Sequence, residues 1–184
     1  MGLAINMKTI IIALCVCLLS GCASLSGTYQ GEHLVIPFIE ELKKWQLFQK
    51  DDDTFRSNMW QKPGERWADT YAVSIYYKKN INLATERAKM DLPGQQGCQG
   101  FSSSTLNHPK QTDMESLFWQ TRCEINGVVV ARLLHLMIQG DESYYQIQKV
   151  WKTDVSDAEF SAWVQRFQNT YICHQGAEQS TCPN

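Results

Sequence analysis

The chain has 184 residues, of which 43% are hydrophobic and 20% are charged, an ordinary globular composition that fits about one domain. The formal net charge is -2 and the isoelectric point is about 6.1. Proteins that hold nucleic acid or anionic lipid by charge are usually basic, so we expect no nucleic-acid partner and no polybasic membrane contact.

The N-terminal segment has the layout of a secretory signal. Residues 7–22 read MKTIIIALCVCLLSGC, where Lys8 is followed by an apolar run over residues 9–19. This run is shorter than the roughly 20 residues that cross a bilayer, so a permanent transmembrane helix is not expected. We therefore predict a signal peptide over residues 1–21. Either Met1 or Met7 can be the true start.

Residues 19–22, LSGC, resemble the bacterial lipobox, in which a large apolar residue and two small ones precede a cysteine. The resemblance implies that the thiol of Cys22 accepts a diacylglycerol group and that cleavage frees its amine for a further acyl chain. Two or three chains, at roughly 0.8 kcal/mol per buried methylene, anchor a protein firmly. The alternative is an ordinary signal-region cysteine such as Cys15 or Cys17. The lipobox pattern favours Cys22 as the lipidation site and the membrane as a partner through this N-terminal lipid.

The segment after the anchor predicts the location of the domain. Ala23 follows Cys22 and is not the aspartate that resembles an inner-membrane retention signal, which favours the outer membrane. A lipidated tether over residues 22–32 reaches at most about 35 Å. The sequence therefore predicts one periplasmic domain over residues 33–184, held close to the membrane.

The first half of the domain predicts a helix, a hairpin, a strand and a second helix. The hairpin turn is Asp51–Asp53, and the second helix is capped by Asn82. The predicted ranges are a short helix at 37–45, strands at 45–50, 54–61 and 71–77, a helix at 83–90, and a loop at 93–99.

The second half predicts an antiparallel meander. Residues 117–125 alternate as a strand, and Asn126-Gly127 is a type I′ turn signal that leads into a strand at 128–138. A turn at Gly140-Asp141 then leads into a strand at 144–152. Phe118 alternates with Leu117 and Trp119, so we expect it, with Tyr144, to form an exposed interaction surface.

The last helix has the clearest start signal. Ser156 and Glu159 form a capping box, and an aromatic stripe follows at helical spacing. The stripe consists of Phe160, Trp163, Val164, Phe167 and Tyr171. Core packing explains it better than a sugar-binding platform does. An antiparallel sheet covered by helices, an α+β fold, follows.

Four cysteines remain in the mature chain: Cys98, Cys123, Cys173 and Cys182. An even count in the oxidising periplasm predicts two disulfides. Three connectivities are possible, and proximity in sequence favours Cys98–Cys123 with Cys173–Cys182. Because no C-x-x-C pair occurs in the mature chain, we expect neither a metal site nor a cofactor.

Several stretches resemble uncharacterised proteobacterial envelope proteins. These are PGERWADTYAVSIYY, IQGDESYYQIQKVWK, the capped helix and the closing Cys173 to Cys182-Pro183. The order of elements is also similar to the PsbP-like fold, an antiparallel sheet between helices. The resemblance implies docking onto a larger assembly at least as readily as catalysis.

The sequence favours a non-catalytic function. It contains no G-x-S-x-G and no H-E-x-x-H, and we expect His135 to be a hydrogen-bonded sheet residue. The hypothesis is an accessory or scaffolding subunit of an envelope complex, for example a secretion apparatus, with a protein partner in the envelope. A periplasmic small-ligand-binding lipoprotein is the alternative, and a hydrolase ranks third.

Overall fold

The computed structural model describes residues 31–111, 113–174 and Cys182. The elements are β1 (Glu32–Val35), a 3₁₀ helix (Ile39–Lys44), β2 (Gln46–Asp52), β3 (Phe55–Gln61), β4 (Asp69–Tyr76), α1 (Leu83–Gly97), β5 (Gly100–Leu106), β6 (Ser116–Ile125), β7 (Val128–Gln139), β8 (Tyr144–Trp151), α2 (Asp157–Gln168) and β9 (Tyr171–His174).

Seven of the strands form one antiparallel sheet in the order β2-β3-β4-β8-β7-β6-β5. The chain runs through β2, β3 and β4, crosses by way of α1 to the far edge, and returns through β5 to β8. β1 and β9 pair separately as an antiparallel ribbon. The predicted hairpin is confirmed, but β2 continues through Asp52 and the turn lies at residues 53–54. The predicted meander is also confirmed, and Asn126 and Gly127 both have the positive φ that a type I′ turn requires.

Helices cover both sides of this sheet, so the predicted mixture of an antiparallel sheet with helices is confirmed. α2 and the 3₁₀ helix pack on one side, where Phe160, Trp163 and Phe167 join the main core. α1 packs on the other side over β5, β6 and β7. There Trp119 and Met137 form a second, smaller core with Leu83 at the start of α1.

The predicted N-terminal caps of the helices are confirmed, but the predicted C-terminal ends are not. The Ser156 hydroxyl accepts from the Glu159 amide at 3.2 Å, as predicted. However, α2 ends at Gln168, so Tyr171 is the first residue of β9 and not part of the helical stripe. The Thr170 amide donates to the Phe167 carbonyl and closes this end of the helix.

The loop predicted over residues 93–99 is wrong, because α1 continues to Gly97 with Pro93 inside it. The Cys98 amide donates to the Gly94 carbonyl at 2.9 Å and completes the last turn. A Cβ atom on Gly94 would lie 2.4 Å from Cε2 of Phe101 on β5. Gly94 is therefore needed for close packing of the helix on the strand, not for a turn.

Glu32, which the sequence placed at the end of the tether, is buried as the first residue of β1. Its carboxylate accepts from the Asp141 amide at 2.5 Å and from the Tyr145 hydroxyl at 2.9 Å. These bonds fix β1 against the β7–β8 turn, so Glu32 belongs to the folded domain and not to the tether.

Two disulfides, Cys98–Cys123 and Cys173–Cys182, connect the four cysteines in the pairing that sequence proximity favours. The first joins the end of α1 to β6, and the second holds residue 182 to β9. Within the described ranges, no three side chains cluster as a metal site would require. None of the helices in those ranges is both long and apolar enough to span a bilayer.

Candidate protein-binding groove

The predicted interaction surface at Phe118 and Tyr144 is wrong, because both side chains are only 1% exposed. Phe118 lies on the α2 side of the sheet and stacks on Phe167, with ring centroids 5.6 Å apart. Tyr144 lies on the other side, stacked on Tyr76 at 5.3 Å. The prediction placed these side chains on the side of the sheet away from the aromatic stripe of α2, whereas Phe118 packs against that stripe and Tyr144 belongs to the core under α1.

His135 is a buried sheet histidine, as expected. Its ring stacks on Trp119 with centroids 4.6 Å apart, and its two nitrogens contact Gln148 and Thr121. The Gln148 amide nitrogen can only donate, so Nδ1 of His135 is the acceptor at 3.2 Å. Nε2 then carries the proton and donates to the Thr121 hydroxyl at 3.1 Å. Burial lowers the pKa of His135 to about 4, so the ring is neutral at pH 7.

A groove of about 720 Å³ lies between the 3₁₀ helix, α2 and the β1–β9 ribbon. Its apolar lining comes from Val35, Pro37, Phe38, Ala162 and Tyr171. The ribbon positions Val35 and Tyr171 directly opposite each other in register. This part of the groove is therefore held by strand pairing.

Charged side chains surround this apolar floor. The Arg166 guanidinium donates to the Glu41 carboxylate at 2.6 Å and lies 5.0 Å from the centre of the Trp163 ring. Lys110 lines the groove from the β5–β6 connection and is exposed. An apolar centre with a polar rim is the usual arrangement of a protein–protein interface.

A buried lysine lies in the core beside Trp163 of α2. The Lys149 amine, on β8, contacts the Asp69 carboxylate and lies 5.0, 4.6 and 4.7 Å from the ring centres of Trp45, Trp151 and Trp163. Burial lowers the pKa of Lys149 to about 7, against the attraction of the Glu159 carboxylate, which favours the charged form. The sequence analysis missed this cluster, although the alternation of β8 places Lys149 on the core side with Ile147 and Trp151.

Cys22 lies outside the described residues, so the predicted lipidation site is not part of this geometry. The first described residue is Gly31, next to Glu32 at the open end of the ribbon. The groove lies at the other end of β1, beside Val35.

No protein-family model matches the chain, and no curated protein matches it significantly. Among solved structures, the chain is similar to PA94 of Pseudomonas aeruginosa, a protein of unknown function, with 13% identity over 68% of this chain and 94% of that one and a TM-score of 0.41. It is also similar to LpqN of Mycobacterium tuberculosis, which is involved in cell envelope biogenesis, with 14% identity over 79% and 86% of the two chains and a TM-score of 0.41.

Proposed function

We propose that this chain is a lipid-anchored, non-catalytic accessory or scaffolding protein of the outer membrane. In this proposal Cys22 carries the lipid, and the domain faces the periplasm and binds a protein partner in an envelope complex. The observation that supports partner binding is the groove beside α2, where an apolar floor is bordered by Glu41, Arg166 and Lys110. The two disulfides fit a domain that folds in an oxidising compartment.

The groove favours a protein segment with apolar side chains at its centre and an acidic residue near Lys110. Apolar side chains would contact Phe38, Ala162 and Tyr171, and a carboxylate would meet the Lys110 amine. Among the described residues that line the groove, Glu41 and Arg166 pair with each other, so Lys110 is the charge that would favour an acidic partner residue.

The anchor is tested by metabolic labelling with an alkynyl fatty acid. The wild-type protein should incorporate the label, whereas Cys22→Ala should not and should leave the outer-membrane fraction. Equal labelling of both proteins would rule out lipidation at Cys22.

The groove is tested by a blocking substitution with a matched control on the same helix. Ala162 lines the groove and is exposed, so Ala162→Arg fills the groove without entering the core. Ser161 is also exposed but does not line the groove, so Ser161→Arg adds the same charge nearby. We expect A162R to lose a stoichiometric partner that crosslinks at Gln165, and S161R to retain it. A partner that is captured equally by both variants would contradict the assignment of the groove.

A further inference from the structure

The seven-stranded sheet has two edge strands of opposite character. β2, at one edge, carries Lys50, Asp51 and Asp52, and charged side chains are a usual means of keeping an edge strand from pairing with other molecules. β5, at the other edge, reads GFSSSTL, without a charged residue or a proline. It pairs with β6 in continuous register over all seven residues. In the part of the chain that the structure describes, no strand pairs with the outer side of β5, so this edge is regular and unprotected.

β5 is held in its extended conformation by contacts with α1 and β6. Arg87 of α1 donates to the Thr105 and Ser103 hydroxyls at 2.7 and 2.9 Å. The Ser103 hydroxyl in turn donates to the Asp91 carboxylate at 2.7 Å. The Cys98–Cys123 disulfide ties the chain just before β5 to β6. Because the strand is ordered in advance, little conformational entropy is lost when a further strand pairs with it.

α1 has an exposed row of small and apolar side chains beside this edge. Successive residues of a helix are about 100° apart. Leu83 packs into the second core over β6 and β7, Arg87 faces β5, and the side chains that come next around the helix point outward beyond β5. They are Ala84, Ala88 and Leu92, which are all exposed. We call them the α1 row.

The sequence of β5 is suited to antiparallel pairing with itself. Two identical strands pair in this way about a two-fold axis that passes beside one residue, and Ser103 is the middle residue of β5. Ser102 of one copy then lies opposite Ser104 of the other. Because β5 has no charged side chain, this pairing places no like charges opposite each other, which would be unfavourable.

The α1 row is symmetric about the same axis. Ser103 is bonded to both Arg87 and Asp91, which places the axis level with Ala88. Leu92 of each copy therefore lies opposite the alanine at the other end of the row in its partner. Since α1 lies over β6, the two helices would be three strand spacings apart, or about 14 Å. A leucine opposite an alanine can span the gap that remains between helices at this distance.

We propose that this chain forms a two-fold symmetric homodimer, in which the β5 strands of two copies pair antiparallel and join their sheets into one. An unrelated extended peptide could pair with β5, but it would leave the α1 row uncovered. The charged β2 strands form both outer edges of the joined sheet, so assembly stops at two copies. The groove lies on the α2 side of the sheet, away from α1. The dimer therefore extends the proposed function, because it carries two grooves and binds a repeated partner with higher avidity.

The proposal is tested by native mass spectrometry of the full chain, purified from membranes in detergent. We expect the wild type to have twice the protomer mass at micromolar concentration. Ser102→Glu combined with Ser104→Glu places carboxylates opposite each other across the axis and should raise the dissociation constant at least tenfold. Ser102→Glu combined with Ser104→Lys places opposite charges there and should remain dimeric. The two variants differ only at position 104, so a general effect of surface charge cannot explain a difference between them.

A second pair of variants tests the α1 row. Ala88→Glu places two carboxylates beside each other at the axis and should also weaken the dimer at least tenfold. Gln96→Glu adds the same charge to α1 at an exposed position outside the row, and should dimerise as the wild type does. Circular dichroism and a thermal melt establish that each variant is folded.

Three results would overturn the proposal. They are a monomeric wild type at tens of micromolar, equal dissociation constants for the two variants that carry Ser102→Glu, and a different protein that pairs with β5 in place of a second copy. The dimer and the groove are separable, because A162R should remain dimeric. The variant with two glutamates on β5 should still bind the protein partner in its groove.

Discussion

Because His135 is neutral in the folded protein, we expect the domain to lose stability as the pH falls below about 6.5, before most carboxylates begin to titrate. The native pKa is about 4, against about 6.5 in the unfolded chain, so the unfolded state binds more protons between these values. The contribution of His135 to stability is therefore fully present above about pH 6.5 and is lost as the pH drops towards 4. Integrating the difference in bound protons from pH 8 to pH 5 gives a loss of about 2 kcal/mol in the free energy of unfolding.

The hydrogen bonds and burial of His135 explain this loss. A proton on Nδ1 of His135 would turn the acceptor for Gln148 into a donor, and the bond at 3.2 Å would be lost. Because the His135 ring is buried against Trp119, a charged ring would have no contact with water. The facing charges on α1 oppose each other, since Asp91 raises the pKa of His135 and Arg87 lowers it.

Urea unfolding at pH 8 and pH 5, followed by tryptophan fluorescence, measures the effect. His135→Gln removes the titrating ring, so the wild type should lose about 2 kcal/mol more than this variant between the two pH values. His108, whose pKa is also lowered by burial, contributes equally to both proteins and cancels. If both proteins show the same dependence on pH, the burial argument for His135 is wrong.

Three further predictions concern stability and are measured by chemical denaturation. Asp69→Asn leaves the buried Lys149 amine without its counter-ion and should cost about 3–5 kcal/mol, whereas Asp69→Asn combined with Lys149→Met should recover most of that loss. Replacing Cys98 and Cys123 by serine opens a loop of 25 residues and should lower the free energy of unfolding by about 3.5 kcal/mol. If reduction of the wild-type protein leaves this free energy unchanged, the prediction is contradicted. Phe167→Ala removes a fully buried ring and should cost about 3–5 kcal/mol, and a smaller loss would mean that the core refills the cavity.

Local signals in the sequence predict those elements whose determinants are close together in the chain. Asn126-Gly127 fixes its hairpin because two consecutive residues supply the positive φ, and Ser156 begins α2 with its own hydroxyl. The end of α1 is missed because Pro93 and Gly94 are common in loops. Only the ring of Phe101, on the next strand, shows why a glycine is needed in that helix.

Features that depend on distant parts of the chain escape the sequence analysis. The β1–β9 ribbon pairs residues from opposite ends of the domain, and its strands are too short for an alternation pattern. Phe118 is buried because it faces α2, and alternation alone cannot reveal which side of a strand a distant helix covers. The positive φ angles of Arg66 and Trp67 also escape it, since the sequence PGERWA reads as an ordinary turn.

The β1–β9 ribbon also constrains the order in which the domain can fold. Glu32 pairs with His174, so β1 has no strand partner until β9, more than a hundred residues later, is in place. Closing a loop of this size carries a large entropic penalty and slows folding, and this contact contributes few hydrogen bonds in return. We therefore expect the ribbon to form late, after the seven-stranded sheet. Until it forms, the hydroxyl of Tyr145 lacks the carboxylate of Glu32, so the end of the sheet beside Glu32 should be the last part of the described domain to close.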